Sequence, residues 1–530
     1  MAADRPTAGA IPDPSPETFA RTLARVSEMA VAYLRDLPRR EAFRRPPEDV
    51  AERLLNAPLP QTGVSAEEIL AHVEAEILPY SLGIGHPRWW GFVRASAHPV
   101  GMATELLATT MNSNCAGSAQ IATHLELTVL RWLTELVGYR ADAGGLLMSG
   151  GSAANFVALA AMRERHLPGT RARGIDARSE RPAVYATREV HGCVNRAVEL
   201  LGLGSDALRW VPVDADRRMD VTALARMIVE DRAAGAMPLC VVATAGTVNS
   251  GAVDPLADMA ELARREGLWF HVDGAYGAIG AALPELAEQY RGLDLADSIV
   301  VDPHKWLYVP YEAGAVLVRD PETLHQAFAT QADYLEVQDE DYFNGPLWFH
   351  ERGPQLSRGF RALKVWAVMQ HIGMEGYREL WRHDLATAAE LRRRAEDHPR
   401  LELAPSTHLS VCCFRYVPAH GDPNAFNRVL LDRIHRDGRL FVSGTTLEST
   451  FYLRACIINF RSTLDDARVA VETVVELGAA LELFQEGVEH IRRSEALLAQ
   501  AELQVEELLG EGQDAETRPF PGREDPASPQ

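Results

Sequence analysis

The 530-residue sequence lacks an excess of basic residues. Lys and Arg number 53 against 74 Asp and Glu, which gives a formal net charge of −21 at pH 7. This balance disfavours a general nucleic-acid binder and adsorption to anionic membranes, because both partners attract basic surfaces. A small basic pocket inside an acidic protein stays compatible with it.

Long apolar runs and paired cysteines are also missing. No stretch approaches about 20 uninterrupted apolar residues, so we expect no membrane-spanning helix. The N-terminal segment is polar and proline-rich, without the basic start and apolar run of a signal peptide. The six cysteines include no CxxC pair, so neither a metal site nor a disulfide framework is expected. These absences predict a protein of the reducing cytoplasm.

The remaining sequence has the pattern of predicted strands and helices that is typical of an α/β protein with flanking segments. Near-continuous apolar runs between 182 and 320 predict strands buried on both faces of a parallel or mixed sheet wrapped by helices. We expect a disordered tail at 1–15, an N-terminal helical segment at 16–100, a large domain at 101–385, a small C-terminal α/β domain at 386–482, an extra helix at 483–510 and a disordered tail at 511–530.

The strongest chemical signal is the pair of segments HVDGAYG (271–277) and DPHKW (302–306). Asp273 ends one predicted strand and Lys305 follows the next, so both side chains can face a crevice at the carboxyl edge of the sheet. A lysine amine and a carboxylate placed there suit pyridoxal phosphate, because the amine binds the aldehyde and the carboxylate keeps the pyridine nitrogen protonated. An interior Asp–Lys salt bridge is the alternative interpretation.

Two further segments fit the same hypothesis. In MSGGSAAN (148–155), adjacent glycines and Ser152 precede a helix, and the N–H groups at a helix start can bind a phosphate. A plain Gly-Gly turn with Ser152 as N-cap is the alternative. His191 follows a predicted strand, where it could stack on a cofactor ring or serve as a cap or surface residue.

The ordered set HPRWWGFV (86–93), SGGSAAN, HGCVNRA (191–197), HVDGAYG and DPHKW resembles the group II pyridoxal-phosphate-dependent amino-acid decarboxylases, which include the aromatic-L-amino-acid decarboxylases. The resemblance extends over roughly residues 20–480. It implies fold type I, the aspartate-aminotransferase fold, with a large mixed-sheet domain, a small C-terminal α/β domain and an N-terminal helical segment. It also implies a homodimer with active sites at the subunit interface.

The resemblance assigns roles to individual positions. Lys305 matches the Schiff-base lysine, Asp273 the partner of the ring nitrogen, and His191 the histidine stacked on the ring. The remaining matches are Gly151, Ser152 and His304 on the phosphate side, Thr247 and Ala275 against the ring, and Tyr334 as the mobile-loop tyrosine that protonates the substrate carbon.

The predicted substrate pocket departs from the aromatic-specific pattern. Asn112 and Asn114 stand where those enzymes carry bulky apolar residues, and Arg94 follows Phe92 in the segment that also shapes the pocket. We therefore expect decarboxylation of an L-amino acid, aromatic first, with an aliphatic or acidic substrate as the alternative.

Other activities remain as rivals. A related aldehyde synthase or transaminase would use the same cofactor, but retention of both Tyr334 and His191 favours simple decarboxylation. A non-catalytic scaffold homologue is disfavoured because Lys305 and Asp273 are both retained.

Overall fold

The computed structural model describes residues 15–175, 181–330 and 342–510, with side chains of the last helix described to 505. Its α-helices are α1 (Pro16–Asp36), α2 (Glu48–Leu55), α3 (Ala66–His72), α4 (Pro99–Met111), α5 (Ile121–Leu136), α6 (Gly151–His166), α7 (Thr170–Arg173), α8 (Cys193–Leu200), α9 (Val221–Ala233), α10 (Leu256–Glu266), α11 (Glu322–Phe328), α12 (Arg361–Asp397), α13 (Pro423–Asp437) and α14 (Leu464–Gly510).

The larger of two sheets contains seven strands in the order β1-β7-β6-β5-β4-β2-β3. They are β1 (Gly144–Met148), β2 (Arg181–Thr187), β3 (Leu208–Val211), β4 (Ala236–Thr244), β5 (Trp269–Asp273), β6 (Ser298–Val301) and β7 (Gly314–Val318). Strands β2 to β6 pair in parallel, whereas β7 runs antiparallel to both β6 and β1. The carboxyl ends of β1 and of the parallel strands therefore meet at one edge.

Burial of the central strands explains why they form. Every residue of β5, β6 and β7 is buried, which suits apolar runs that lie between helices on both faces. Helix α6 follows β1 and packs across β5, β6 and β7. The predicted mixed sheet of a fold type I enzyme is confirmed.

A second, antiparallel sheet has the order β10-β11-β9-β8. Its strands are β8 (Leu401–Leu403), β9 (Val411–Tyr416), β10 (Ser443–Leu447) and β11 (Thr450–Cys456). Helices α12, α13 and α14 pack beside it. The segment predicted as an extra helix at 483–510 is the distal part of α14, because no proline interrupts the helix that begins at Leu464.

No helix in the described ranges combines the length and apolarity that crossing a bilayer requires. Within the same ranges, no group of three or more His, Cys, Asp or Glu side chains is arranged to hold a metal ion.

Candidate active site

A cavity of about 540 Å³ opens at the carboxyl edge of the large sheet. It lies where β4 and β5 end, beside the start of α6 and the turn that follows β6. The titratable side chains among its lining are His191, Asp273, Asp302, His304 and Lys305, together with Cys193, Tyr276, Tyr311 and Glu312. The sheet therefore gathers residues that are far apart in sequence at the edge where ligands bind in α/β folds.

Lys305 faces the cavity from the turn after β6. Its Nζ lies 3.0 Å from Asp302 Oδ2, and its backbone N–H donates to the Asp302 carbonyl at 2.9 Å. Burial lowers the pKa of Lys305, but the carboxylates of Asp302 and Asp273 outweigh it, so the net pKa lies above its usual value. The amine is thus held as a cation beside two carboxylates.

Asp273 is the last residue of β5 and is buried, with Oδ1 accepting the Ala275 N–H at 3.2 Å. His191 lies on the rim just before α8, and its Nδ1 accepts the Cys193 N–H at 3.2 Å. Burial lowers the pKa of His191, against the opposing effect of the Asp273 charge. His191 therefore faces the Asp273 and Asp302 charges that also act on Lys305.

The start of α6 forms the floor of the cavity. A Cβ on Gly151 would lie 2.8 Å from Asp302 Oδ2 and 3.2 Å from the Ala275 Cβ, so the close approach requires glycine. Ser152 stands next to it in the first turn, where helix N–H groups lack intrahelical acceptors. His304 completes this side, with Nδ1 accepting the Ala313 N–H at 3.2 Å.

A buried chain of hydrogen bonds fixes that first turn. Ser298 Oγ accepts the Trp269 indole N–H at 2.8 Å, which leaves its own hydrogen to donate to His271 Nδ1 at 2.8 Å. His271 Nε2–H then donates to Asn155 Oδ1 at 2.7 Å, and Asn155 Nδ2 donates to the Gly151 carbonyl at 2.8 Å. Burial lowers the pKa of His271 to about 4, so the neutral ring that this chain needs is the stable form.

Several predicted site residues lie away from the cavity lining. Thr247 is fully buried, and its hydroxyl lies 2.9 Å from Ser250 Oγ. Asn112 and Asn114 are exposed, and Asn114 Oδ1 accepts the Arg358 N–H at 2.9 Å.

Phe92 and Arg94 flank Val93, which does line the cavity. The Arg94 guanidinium lies 5.1 Å from the centre of the half-exposed Phe92 ring. Tyr334 lies outside the described residues, and Ala275 lines the cavity as the resemblance implies.

Asp302 is the main residue that sequence analysis missed. It stands inside the quoted segment DPHKW, and a spacing of three residues in a turn was a signal that its carboxylate could reach Lys305. The low lysine content is a second signal that was not used. Lys305 and Lys364 are the two lysines of the whole chain, so only these two side chains could supply the amine for an aldehyde. Lys364 is committed elsewhere: its Nζ lies 3.2 Å from Glu105 Oε1 and donates to the Tyr311 carbonyl at 3.1 Å.

The lining residues fit pyridoxal phosphate. Lys305 offers an amine for the aldehyde, Asp273 a buried carboxylate for the ring nitrogen, and the α6 start free N–H groups for the phosphate. Because Gly151 has no Cβ, the start of α6 can lie close to Asp302 and Ala275 at this end. A cavity of about 540 Å³ lies within the size range of small-molecule sites.

Comparison with known proteins agrees with this fit. A family model described as the pyridoxal-dependent decarboxylase conserved domain matches residues 47–417. An aromatic-L-amino-acid decarboxylase from Bacillus atrophaeus is 32% identical over 426 residues, covering 79% of this chain and 86% of the relative. An L-2,4-diaminobutyrate decarboxylase from Rhizobium meliloti (strain 1021) is 31% identical over 429 residues, covering 80% and 84%.

The solved structures agree as well. The crystal structure of Oryza sativa TDC with PLP and tryptamine superposes with a TM-score of 0.83 at 25% identity, covering 89% of this chain and 100% of that one. The family model matches well over half of the chain, and a relative above 30% identity is covered along most of its length. This chain therefore belongs to the pyridoxal-dependent amino-acid decarboxylases, enzymes that use pyridoxal phosphate as their cofactor.

Proposed function

We propose that this decarboxylase acts on an aromatic L-amino acid and releases the amine and CO2. The substrate class rests on the placement of Arg94, whose guanidinium lies 5.1 Å from the centre of the Phe92 ring while apolar Val93 lines the cavity. Val93 at this position favours an apolar side chain over an acidic one, because a buried cation facing an apolar ring would lose its hydration without gaining a partner. The aromatic-L-amino-acid decarboxylase among the relatives supports the same class.

The residues around the cavity have different roles in the proposed reaction. Bound pyridoxal phosphate supplies an aldehyde that condenses with amines and a ring that accepts the electron pair left when CO2 departs. Lys305 would hold the group through its amine, and the Asp302 carboxylate pairs with the lysine charge at 3.0 Å. Asp273 keeps a negative charge where the ring nitrogen would lie, and His191 covers the rim.

Tyr334 completes the proposal as the acid that returns a proton to the substrate carbon. This role rests on the family resemblance, since the residue lies outside the described ranges. A tyrosine hydroxyl at the substrate would protonate the carbon before oxygen reaches it. We therefore expect amine as the product, with little aldehyde or peroxide.

An acidic amino acid is the second candidate, because Arg94 has no carboxylate within ion-pair distance among the described residues. A rotation of the side chain away from Phe92 would aim its charge at the substrate. A fixed guanidinium would then recognise a side-chain carboxylate through paired hydrogen bonds.

Comparison of substrates separates the two candidates. We expect kcat/KM for Trp, Phe, Tyr and Dopa to exceed that for Glu and Asp, with peroxide measured in parallel, and Arg94→Gln to change the aromatic values by less than about threefold. Arg428→Gln is the matched control, since the guanidinium of Arg428 in the distant α13 also lies over a phenylalanine ring, that of the buried Phe451, at 4.3 Å from its centre. A preference for Glu or Asp that collapses only in Arg94→Gln would replace the aromatic proposal with the acidic one.

We also propose that two copies of the chain form a homodimer with shared sites, in the cytoplasm. All six cysteines are buried free thiols, as a reducing compartment allows. Asn112 and Asn114 are exposed at the end of α4, which suits residues that complete a partner's site. The same helix exposes large apolar side chains: Met102, Leu106, Leu107 and Met111.

Sedimentation equilibrium tests the dimer. We expect about twice the 58.3 kDa chain mass for the wild type and the single-chain mass for a Leu106→Glu/Leu107→Glu variant. Val229→Glu, at an exposed apolar position on α9, should leave the dimer intact. A wild-type protein that sediments as a single chain at micromolar concentration would refute the shared site.

A further inference from the structure

One face of α12 holds the turn that carries Lys305. Tyr377, Trp381 and Asp384 are spaced by four and three residues, so they project from the same side of the helix. All three are essentially fully buried. None of them lines the cavity, so the cofactor chemistry alone does not explain why this face is polar.

The first two residues of this face bind main-chain carbonyls of the lysine turn. The Trp381 indole N–H donates to the Trp306 carbonyl at 2.9 Å, and the Tyr377 hydroxyl donates to the Leu307 carbonyl at 3.0 Å. These carbonyls belong to the two residues that follow Lys305. The helix therefore fixes the backbone of the turn immediately beyond the lysine.

Asp384 binds side chains of the same turn. Its Oδ2 accepts the Trp306 indole N–H at 2.8 Å and the Tyr308 hydroxyl at 2.6 Å, and its Oδ1 accepts the Asn459 N–H at 3.3 Å. No lysine, arginine or histidine of the described ranges forms an ion pair with it. Burial raises the pKa of Asp384 to about 7, and the Asp384 charge in turn raises the pKa of Tyr308 and of Cys456.

Burying a carboxylate among neutral donors, without a cation, costs free energy of folding. We infer that Asp384 offsets this cost by fixing the position of the lysine turn. The turn's own bonds, from Lys305 N–H to the Asp302 carbonyl and from Tyr308 N–H to the Lys305 carbonyl, fix its shape but not its position. Asp384 ties that shape to α12 and to the segment after β11.

We propose that Asp384 is a positioning residue that holds the Lys305 turn at the depth from which the amine meets the cofactor aldehyde. It acts through Trp306 and Tyr308 and touches neither substrate nor cofactor. The proposal needs only the lysine-bound cofactor of the family, and it stands whichever amino acid is the substrate.

Asp384→Leu removes the acceptor at nearly constant size. Three buried donors, on Trp306, Tyr308 and Asn459, lose their acceptor. We therefore expect covalent attachment of pyridoxal phosphate to the apo-protein, trapped by borohydride over time, to slow by about tenfold to a hundredfold. Amide hydrogen exchange at Lys305 and Tyr308 in the apo-protein should accelerate, whereas exchange in β5 should not. Asp384→Asn keeps an acceptor oxygen and should restore the attachment rate to within about threefold of wild type.

Arg382→Ala is the matched control. Arg382 lies on α12 between Trp381 and Asp384, but its partner is the exposed Glu285 at 2.7 Å, so attachment should not change. An Asp384→Leu protein that attaches the cofactor within twofold of wild type, with unchanged exchange at Lys305 and Tyr308, would overturn the proposal.

Should Asp384→Leu fail to fold, Tyr308→Phe and Tyr377→Phe decide the question, because each removes one donor with little change of shape. We expect each to slow attachment about twofold to fivefold and to accelerate exchange at the turn. Wild-type rates and exchange in both variants would overturn the proposal equally.

Discussion

Gly151 offers a quantitative test of the cavity floor. In Gly151→Ala, the new Cβ would lie 2.8 Å from Asp302 Oδ2 and 3.2 Å from the Ala275 Cβ. Asp302 cannot simply move away, because its Oδ2 holds the Lys305 amine at 3.0 Å. Overpacking of a close-packed site costs about 1–3 kcal/mol, which is roughly 5-fold to 150-fold in an equilibrium constant. We expect pyridoxal phosphate to bind at least about fivefold more weakly.

Two measurements check this magnitude. Equilibrium titration of the apo-protein gives the cofactor Kd, and denaturant unfolding should show a loss of about 1–3 kcal/mol in the free energy of unfolding. Gly192→Ala is the matched control on the rim, since its φ is −58° and an added Cβ meets nothing within 4 Å. Equal Kd values for the two alanine variants would refute the packing argument.

Three further predictions concern charges near the site. Asp273→Asn should lower kcat on the order of 10²-fold or more with cofactor bound, and near-normal turnover would leave Asp273 a structural role only. Asp302→Asn should lower the pKa of Lys305, because the effect of burial then outweighs that of the remaining Asp273 charge. The pH midpoint of cofactor attachment should therefore fall, and an unchanged midpoint would contradict this role of Asp302. Burial lowers the pKa of His271 from about 6.5 in the unfolded chain to about 4 in the folded protein. The neutral ring therefore contributes its full stability above pH 6.5, and the free energy of unfolding should fall by up to about 3 kcal/mol as the pH drops towards 4. His271→Gln should flatten that slope in unfolding experiments, and an equal slope would contradict it.

The sheet was predictable because its strands are buried on both faces. Trp269–Asp273 and Ser298–Val301 are short apolar runs between helical segments, and they pair in parallel as expected. The antiparallel direction of β7 was not predictable, since an apolar run carries no information on strand direction.

The proximity of Asp273 and Lys305 was predictable for the same reason, because Asp273 ends one strand and Lys305 follows its neighbour. Thr247 was harder to place, since its hydroxyl orientation depends on Ser250 and on a backbone that folds back after β4. Asp384 was beyond reach, because it meets Trp306 across 78 residues of sequence and nothing in a helical pattern marks such a partner.

Attachment of the cofactor to Lys305 can be tested directly. The chain offers two lysines, so borohydride reduction of the holoenzyme followed by peptide mapping has two possible outcomes for attachment to a lysine. We expect a reduced pyridoxyl group on the peptide that contains Lys305, absent in Lys305→Ala and retained in Lys364→Arg. Attachment at Lys364, or a holoenzyme that binds the cofactor without attachment to either lysine, would contradict it.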